Sequence, residues 1–201
     1  MNKPNNYDSI SLHIDPIVLG GHYAIIKKVT EGQSKSGKPQ ITIYVDFDQQ
    51  DAQPCYFKKL FDSSDRQDKK WSAAGTFYIT LGSNEEYYNR SIKQFVTAFE
   101  DSNGVTAVWG DKWAAQFINK KIGVVYGEEE WFDKNADEIK TSRKIRYFCD
   151  VHKAQEQDVP KKRYYKGDLS TSTANMAATA SEDNAFMDLD SVEDNGEFPF
   201  K

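Results

Sequence analysis

The sequence predicts a mainly β fold with a helical insertion: a small five-stranded barrel followed by an acidic C-terminal tail. Three observations lead there. Residues 20–47 contain two runs rich in β-branched and aromatic residues around a polar loop. Residues 85–100 carry apolar side chains at helical spacing between strand-like segments. After Gly167 the composition changes abruptly to Ser, Thr, Ala, Asn and acids.

In the first run, Gly20-Gly21-His22-Tyr23-Ala24-Ile25-Ile26-Lys27-Lys28-Val29, apolar residues fall on both faces, as in a strand buried on two sides. In the second, Ile41, Ile43, Val45 and Phe47 alternate with Thr42, Tyr44 and Asp46, the period of a half-buried strand. The loop between them holds Lys35-Ser36-Gly37-Lys38-Pro39 and reads as mobile and basic. Gly37 suits a positive φ there, and Pro39 stiffens the start of the second strand. Ahead of this pair, residues 1–15 read as a loose polar arm, while Ile14, Pro16, Ile17, Val18 and Leu19 are placed to pack beneath the barrel.

Residues 53–61 read as a third strand, with Cys55, Phe57, Lys59 and Phe61 on one face and Tyr56, Lys58 and Leu60 on the other. Residues 62–70 form a charged loop, and residues 76–81 are open between a strand and a connection. Tyr88, Ile92, Phe95, Val96 and Phe99 define one face of a helix over residues 85–100, capped by Asn84 and ended by Asp101-Ser102-Asn103-Gly104. Residues 110–119 carry a second helical pattern. Residues 121–126 and 139–151 read as the last two strands, with Gly127 and Glu128-Glu129-Glu130 in the turn between them. Three strands, a helix and two strands follow the order of an OB-fold.

Apolar residues make up 38% of the 201 and charged residues 28%, a balance that leaves part of the chain unpacked. We expect an OB-fold nucleic-acid-binding domain over residues 1–167 and a flexible linker with an acidic tail over 168–201. The net charge of −5 divides unevenly: residues 168–201 hold eight acids and one base, net −7, and the preceding residues 25 bases and 23 acids, net +2. An acidic tail on a weakly basic domain is a pattern of nucleic-acid proteins. No apolar run reaches membrane-spanning length and no apolar leader opens the chain, so the expected location is cytoplasmic. Cys55 and Cys149 are far apart in sequence and read as buried thiols. With His13, His22 and His152 isolated, no zinc spacing exists, and neither a metal nor another cofactor is expected.

Gly20-Gly21-His22-Tyr23, the Ser34-Lys35-Ser36-Gly37-Lys38 loop before an alternating strand, and Lys120-Lys121-Ile122-Gly123-Val124 after a helix resemble the OB-fold single-stranded-DNA-binding proteins of tailed phages infecting Gram-positive bacteria. The resemblance covers residues 19–150. It implies sequence-tolerant binding of single strands in DNA replication or recombination. The tip, Glu193-Asp194-Asn195-Gly196-Glu197-Phe198-Pro199-Phe200, is similar to the acidic, Pro-Phe-ended tip of bacterial single-stranded-DNA-binding proteins, except that Lys201 follows. That likeness implies recruitment of replication or recombination proteins through Asp194, Glu197, Phe198 and Phe200.

Single strands need cations for phosphates and flat rings for bases. The candidate cations are Lys27, Lys28, Lys35, Lys38, Lys58, Lys59, Lys120, Lys121, Arg143, Lys144 and Arg146, and the candidate rings Tyr44, Tyr56, Phe57, Trp131, Tyr147 and Phe148. Tyr44 is the firmest, because Ile43 and Val45 face the other way; Tyr147 shares parity with Ile145, which allows a core position. In any barrel about half the aromatics are core and many lysines only solvate. Two other classes stay open. Asp46 and Asp48 with Glu128, Glu129 or Glu130 suit a metal-dependent nuclease, against the plainer reading of a strand end and a solvated turn. An acidic-tailed protein-interaction module without DNA binding is the third; titrating single-stranded DNA against tryptophan emission separates it.

Overall fold

A computed structural model describes residues 15–82 and 84–166. Five antiparallel strands form one sheet: β1 (Gly20–Gln33), β2 (Pro39–Phe47), β3 (Thr76–Thr80), β4 (Lys121–Asp133) and β5 (Glu138–Cys149), in the order β3-β2-β1-β4-β5. Two helices, α1 (Tyr56–Ser63) and α2 (Glu85–Asn103), and 3₁₀ turns at Ala73–Gly75, Trp113–Phe117 and Val151–Glu156 complete the described residues. The fold is mainly β, as expected, and α2 separates the third and fourth strands. No ladder joins β3 to β5 among the described residues, so the sheet is open where the expected barrel would close. The two edges nevertheless meet through side chains: the Phe77 and Phe148 rings pack edge to face with centroids 5.0 Å apart.

The curled sheet has one apolar face. Ala24, Ile26, Val29, Ile41, Ile43, Val45, Phe47, Ile79, Ile122, Val124, Tyr126, Ile145 and Phe148 are all buried there. Phe95, Val96 and Phe99 of α2, with Phe117, close one end. The predicted face of α2 is the packed one, and Asn84 caps it by accepting from the Tyr87 N–H at 2.9 Å. Gly104, at φ 62°, ends it in the left-handed conformation favoured after a helix. Ile17 packs in the core, whereas Val18 beside it is exposed.

Residues 53–61 are not a strand; the segment forms α1. Tyr56, Phe57, Leu60 and Phe61 recur at helical spacing, and Phe57 is fully buried against Phe47 and Tyr126. The helix lacks a local side-chain cap, since Cys55 precedes it with φ 54°. Asp46 supplies one from β2, its carboxylate accepting from the Phe57 N–H at 2.9 Å and the Phe47 N–H at 3.0 Å. The third strand is instead residues 76–80, the segment that the sequence left open.

The basic loop is a compact turn, Ser34 to Lys38, closed by Ser34 N–H to the Lys38 carbonyl and Gly37 N–H to the Ser34 carbonyl, both 2.8 Å. One further expectation is corrected. Glu128, Glu129 and Glu130 lie within β4, opposite Arg143, Ser142 and Thr141 of β5. That pairing carries the β4–β5 hairpin past Tyr126, the last β4 residue paired with β1.

Gly21 and Gly123 let the chain after β5 cross the outer face of the sheet. A Cβ at Gly21 would lie 1.7 Å from the Ala154 carbonyl oxygen, and one at Gly123 would lie 2.6 Å from Cys149 Sγ. The Val151–Glu156 turn therefore rests directly on β1 and β4.

Candidate nucleic-acid interface

The outer face of β1, β2 and β3 is built from cross-strand rows. Lys28, Tyr44 and Thr76 form one row, and Thr30, Thr42 and Tyr78 the next. Between them run Val29, Ile43 and Phe77, which point into the core. Tyr44 and Tyr78 are thus diagonal neighbours on a face of threonines and lysine, both half-buried. The alternation of Thr76, Tyr78 and Thr80 with Phe77 and Ile79 was the signal for Tyr78; the run is only five residues long.

Lys27 occupies the bulge where the β1–β2 register shifts between Ile26 and Lys28, and is exposed. Lys35 and Lys38 are exposed in the turn at the far end of the same strand pair. Among the described residues no ion pair engages Lys27, Lys35 or Lys38. Tyr44, Tyr78, Lys27, Lys28, Lys35 and Lys38 are therefore gathered on one lobe.

The β5 residues are not part of that group, because β5 is the opposite edge strand. Its cations are engaged by the glutamates of β4. Arg143 Nε lies 3.8 Å from Glu128 and donates through its guanidinium to the Ile17 carbonyl; Lys144 lies 3.9 Å from Glu129. Arg146 donates to the Glu128 carbonyl at 3.3 Å, and burial, with Arg163 nearby, lowers its guanidinium below the ordinary range. A bulge explains the aromatics. The register moves from Tyr147 opposite Val125 to Ile145 opposite Tyr126, leaving Arg146 as the extra residue. Ile145 and Phe148 both turn inward, and Tyr147 turns outward with its hydroxyl 3.3 Å from Gln157. Phe148, expected to stack on bases, instead packs on Phe77 and Phe95 at 3% exposure. Phe57 is likewise core.

Tyr56 and Lys58 ride on α1, away from any strand. The Tyr56 hydroxyl donates to the Asp15 carbonyl at 2.9 Å, and Lys58 pairs with Asp62 at 2.6 Å. Lys121 opens β4, half-exposed, with Nζ 3.9 Å from Asp48. Asp194, Glu197, Phe198 and Phe200, with all of residues 168–201, lie outside the described residues.

The residues named for a nuclease are committed elsewhere. Asp46 caps α1, and burial pushes its carboxyl up despite the Phe57, Phe47 and Lys58 amides. Asp48 accepts from the Gln50 N–H at 2.9 Å. Glu130 pairs with Lys162 at 2.8 Å. Among the described residues no three His, Cys, Asp or Glu side chains converge as a metal site. Both cysteines are free and half-buried, and burial pushes the Cys149 thiol up to about 11. No helix among the described residues is long and apolar enough to cross a membrane.

No protein-family model matches the chain, and no curated protein matches it.

Proposed function

We propose that this chain binds single-stranded DNA without a sequence requirement, on the outer face of β1, β2 and β3, in phage DNA replication or recombination. The observation that carries the reading is the diagonal Tyr44–Tyr78 pair beside Lys28, with Lys27, Lys35 and Lys38, which no ion pair engages among the described residues, on the same strand pair and its turn. Rings stack on any base and lysines meet any phosphate, so such a face tolerates sequence. The strand order β3-β2-β1-β4-β5, with a helix between the third and fourth strands, supports reading the sheet as an OB-fold, a barrel that is commonly open along one seam. The Phe77–Phe148 contact would be that seam. In this reading the chain is not an enzyme, and the acidic tip at Asp194, Glu197, Phe198 and Phe200 recruits replication or recombination proteins.

Titration of labelled single- and double-stranded oligonucleotides tests this. Single strands should bind more tightly, with a log–log salt slope of about −2 to −3, from ~0.7 per phosphate contact at three or four lysines. Deleting residues 182–201 should tighten binding at low salt, by removing a tethered competitor for the lysines, and should abolish partner recruitment. Equal affinity for duplex, or no salt dependence, would falsify the DNA-binding reading.

A further inference from the structure

Along the outer face of β1, beyond Ile25, lies a cleft of about 230 Å³ lined by Tyr23, Asp48, Gln50, Lys121, Val151 and His152. It exists because three pieces of chain meet there. Tyr23 stands opposite Gly123, whose missing side chain lets Cys149 and Asp150 lie close, so that Val151 and His152 arrive beside the tyrosine. Asp48 follows β2, tied to Tyr23 by its own N–H donating to the Tyr23 carbonyl at 2.9 Å. Lys121 reaches in from β4.

The polar groups of the cleft are complementary but incompletely used. Asp48 Oδ2 and Lys121 Nζ are 3.9 Å apart, beyond hydrogen-bond length, and Asp48 Oδ1 accepts only from Gln50 N–H among the described residues. The carboxylate side chain is 9% exposed and the lysine side chain 49%, and both residues line the cleft. The volume is below the roughly 300–1,000 Å³ of sites for drug-sized ligands, which suits one ring system and not a whole nucleotide.

We propose that this cleft is a guanine-preferring subsite of the single-strand path, resting on the DNA-binding reading above. A carboxylate beside an ammonium selects an edge with donors next to an acceptor. Guanine offers two adjacent donors, N1–H and the N2 amine, to Asp48, and O6 to Lys121. Adenine and cytosine each offer one amine donor. Thymine sets an acceptor on both sides of its single N–H, one of which would face the carboxylate. Tyr23 and His152, both lining the cleft, bring the rings against which a base would lie. The preference adds to the sequence-tolerant stacking at Tyr44 and Tyr78 and acts at one position of the bound strand.

The test measures binding of a thymidine tract to the full chain by anisotropy, then of the same tract with a single dG moved through every position. At one position dG should tighten binding about five-fold or more, the scale of a good two-point contact to a base edge. Inosine there, which lacks only the N2 amine, should lose most of the gain with the protein unaltered. In Asp48→Asn the gain, taken relative to that variant's own thymidine-tract affinity, should vanish. If the tract binds but dG gives no gain at any position, or inosine and Asp48→Asn keep the full gain, the subsite is overturned while DNA binding stands. If the thymidine tract itself does not bind, the DNA-binding reading fails and takes the subsite with it.

Discussion

His22 and Asp51 form a buried clamp at the start of the sheet: His22 Nδ1 lies 3.0 Å from the Asp51 carboxylate. The other ring nitrogen, Nε2, lies 2.8 Å from the Val18 carbonyl, and the ring stacks on Phe47 with centroids 4.2 Å apart. Asp51 also accepts the Tyr23 and Gln53 N–H groups, each at 2.9 Å. One carboxylate thus joins β1 to the loop after β2 and holds Tyr23 in place.

Asp51→Ala should therefore destabilise the domain by about 3 kcal/mol, because it leaves buried donors unsatisfied rather than removing one weak bond. Urea unfolding at fixed pH measures this. A cost below ~1 kcal/mol would show that water replaces the carboxylate.

Tyr44→Ala and Tyr78→Ala should each weaken single-strand binding about ten-fold, within the 1–3 kcal/mol of a stacking contact, while thermal stability changes little. Phe148→Ala should do the reverse, costing roughly 3–5 kcal/mol of stability as a large core truncation. Calorimetry beside titration separates the two. A Phe148→Ala protein that stays equally stable and loses affinity would restore that ring to the binding face.

Charge removal should discriminate the two lobes. Lys27→Gln, Lys35→Gln and Lys38→Gln should each lower the magnitude of the salt slope by up to ~0.7, the single-strand value per contact. Arg143→Gln should leave the slope unchanged, because Glu128 and the Ile17 carbonyl already occupy that guanidinium. Salt titrations of the four variants decide it.

Gly21→Ala should cost more than the ~1–3 kcal/mol typical of overpacking, since the new methyl meets the backbone of Ala154 and not a flexible side chain. Gly32→Ala, with nothing within 4 Å of its Cβ, serves as the control. Denaturation midpoints of the pair report the difference.

Local pattern carried much of this fold. The alternation in β2 put Tyr44 outside and Ile43 and Val45 inside, and the spacing of Tyr88, Ile92, Phe95 and Phe99 gave α2. Residues 53–61 misled because an alternating assignment absorbed apolar residues, Tyr56, Phe57, Leu60 and Phe61, whose spacing is helical, and because the cap of that helix is Asp46, distant in sequence. Parity along β5 failed at one residue: the bulge at Arg146 turns Tyr147 out and Phe148 in, and no local feature announces it. The three glutamates looked like a turn because their cations, Arg143, Lys144 and Lys162, come from other segments.

Arg163 takes the side of β4 that β1 vacates, bridging Glu129 with Glu130 N–H to the Arg163 carbonyl at 2.9 Å and Arg163 N–H to the Glu128 carbonyl at 3.0 Å. A chain cut back past this residue would bare those amides and carbonyls on a protruding hairpin, and a bared strand edge templates pairing with another molecule. Shortening from the C-terminus therefore has two regimes. Ending after Lys166 removes the acidic segment alone, whereas ending before Lys162 also invites self-association, which light scattering would register as growing particle size at constant DNA affinity per folded chain.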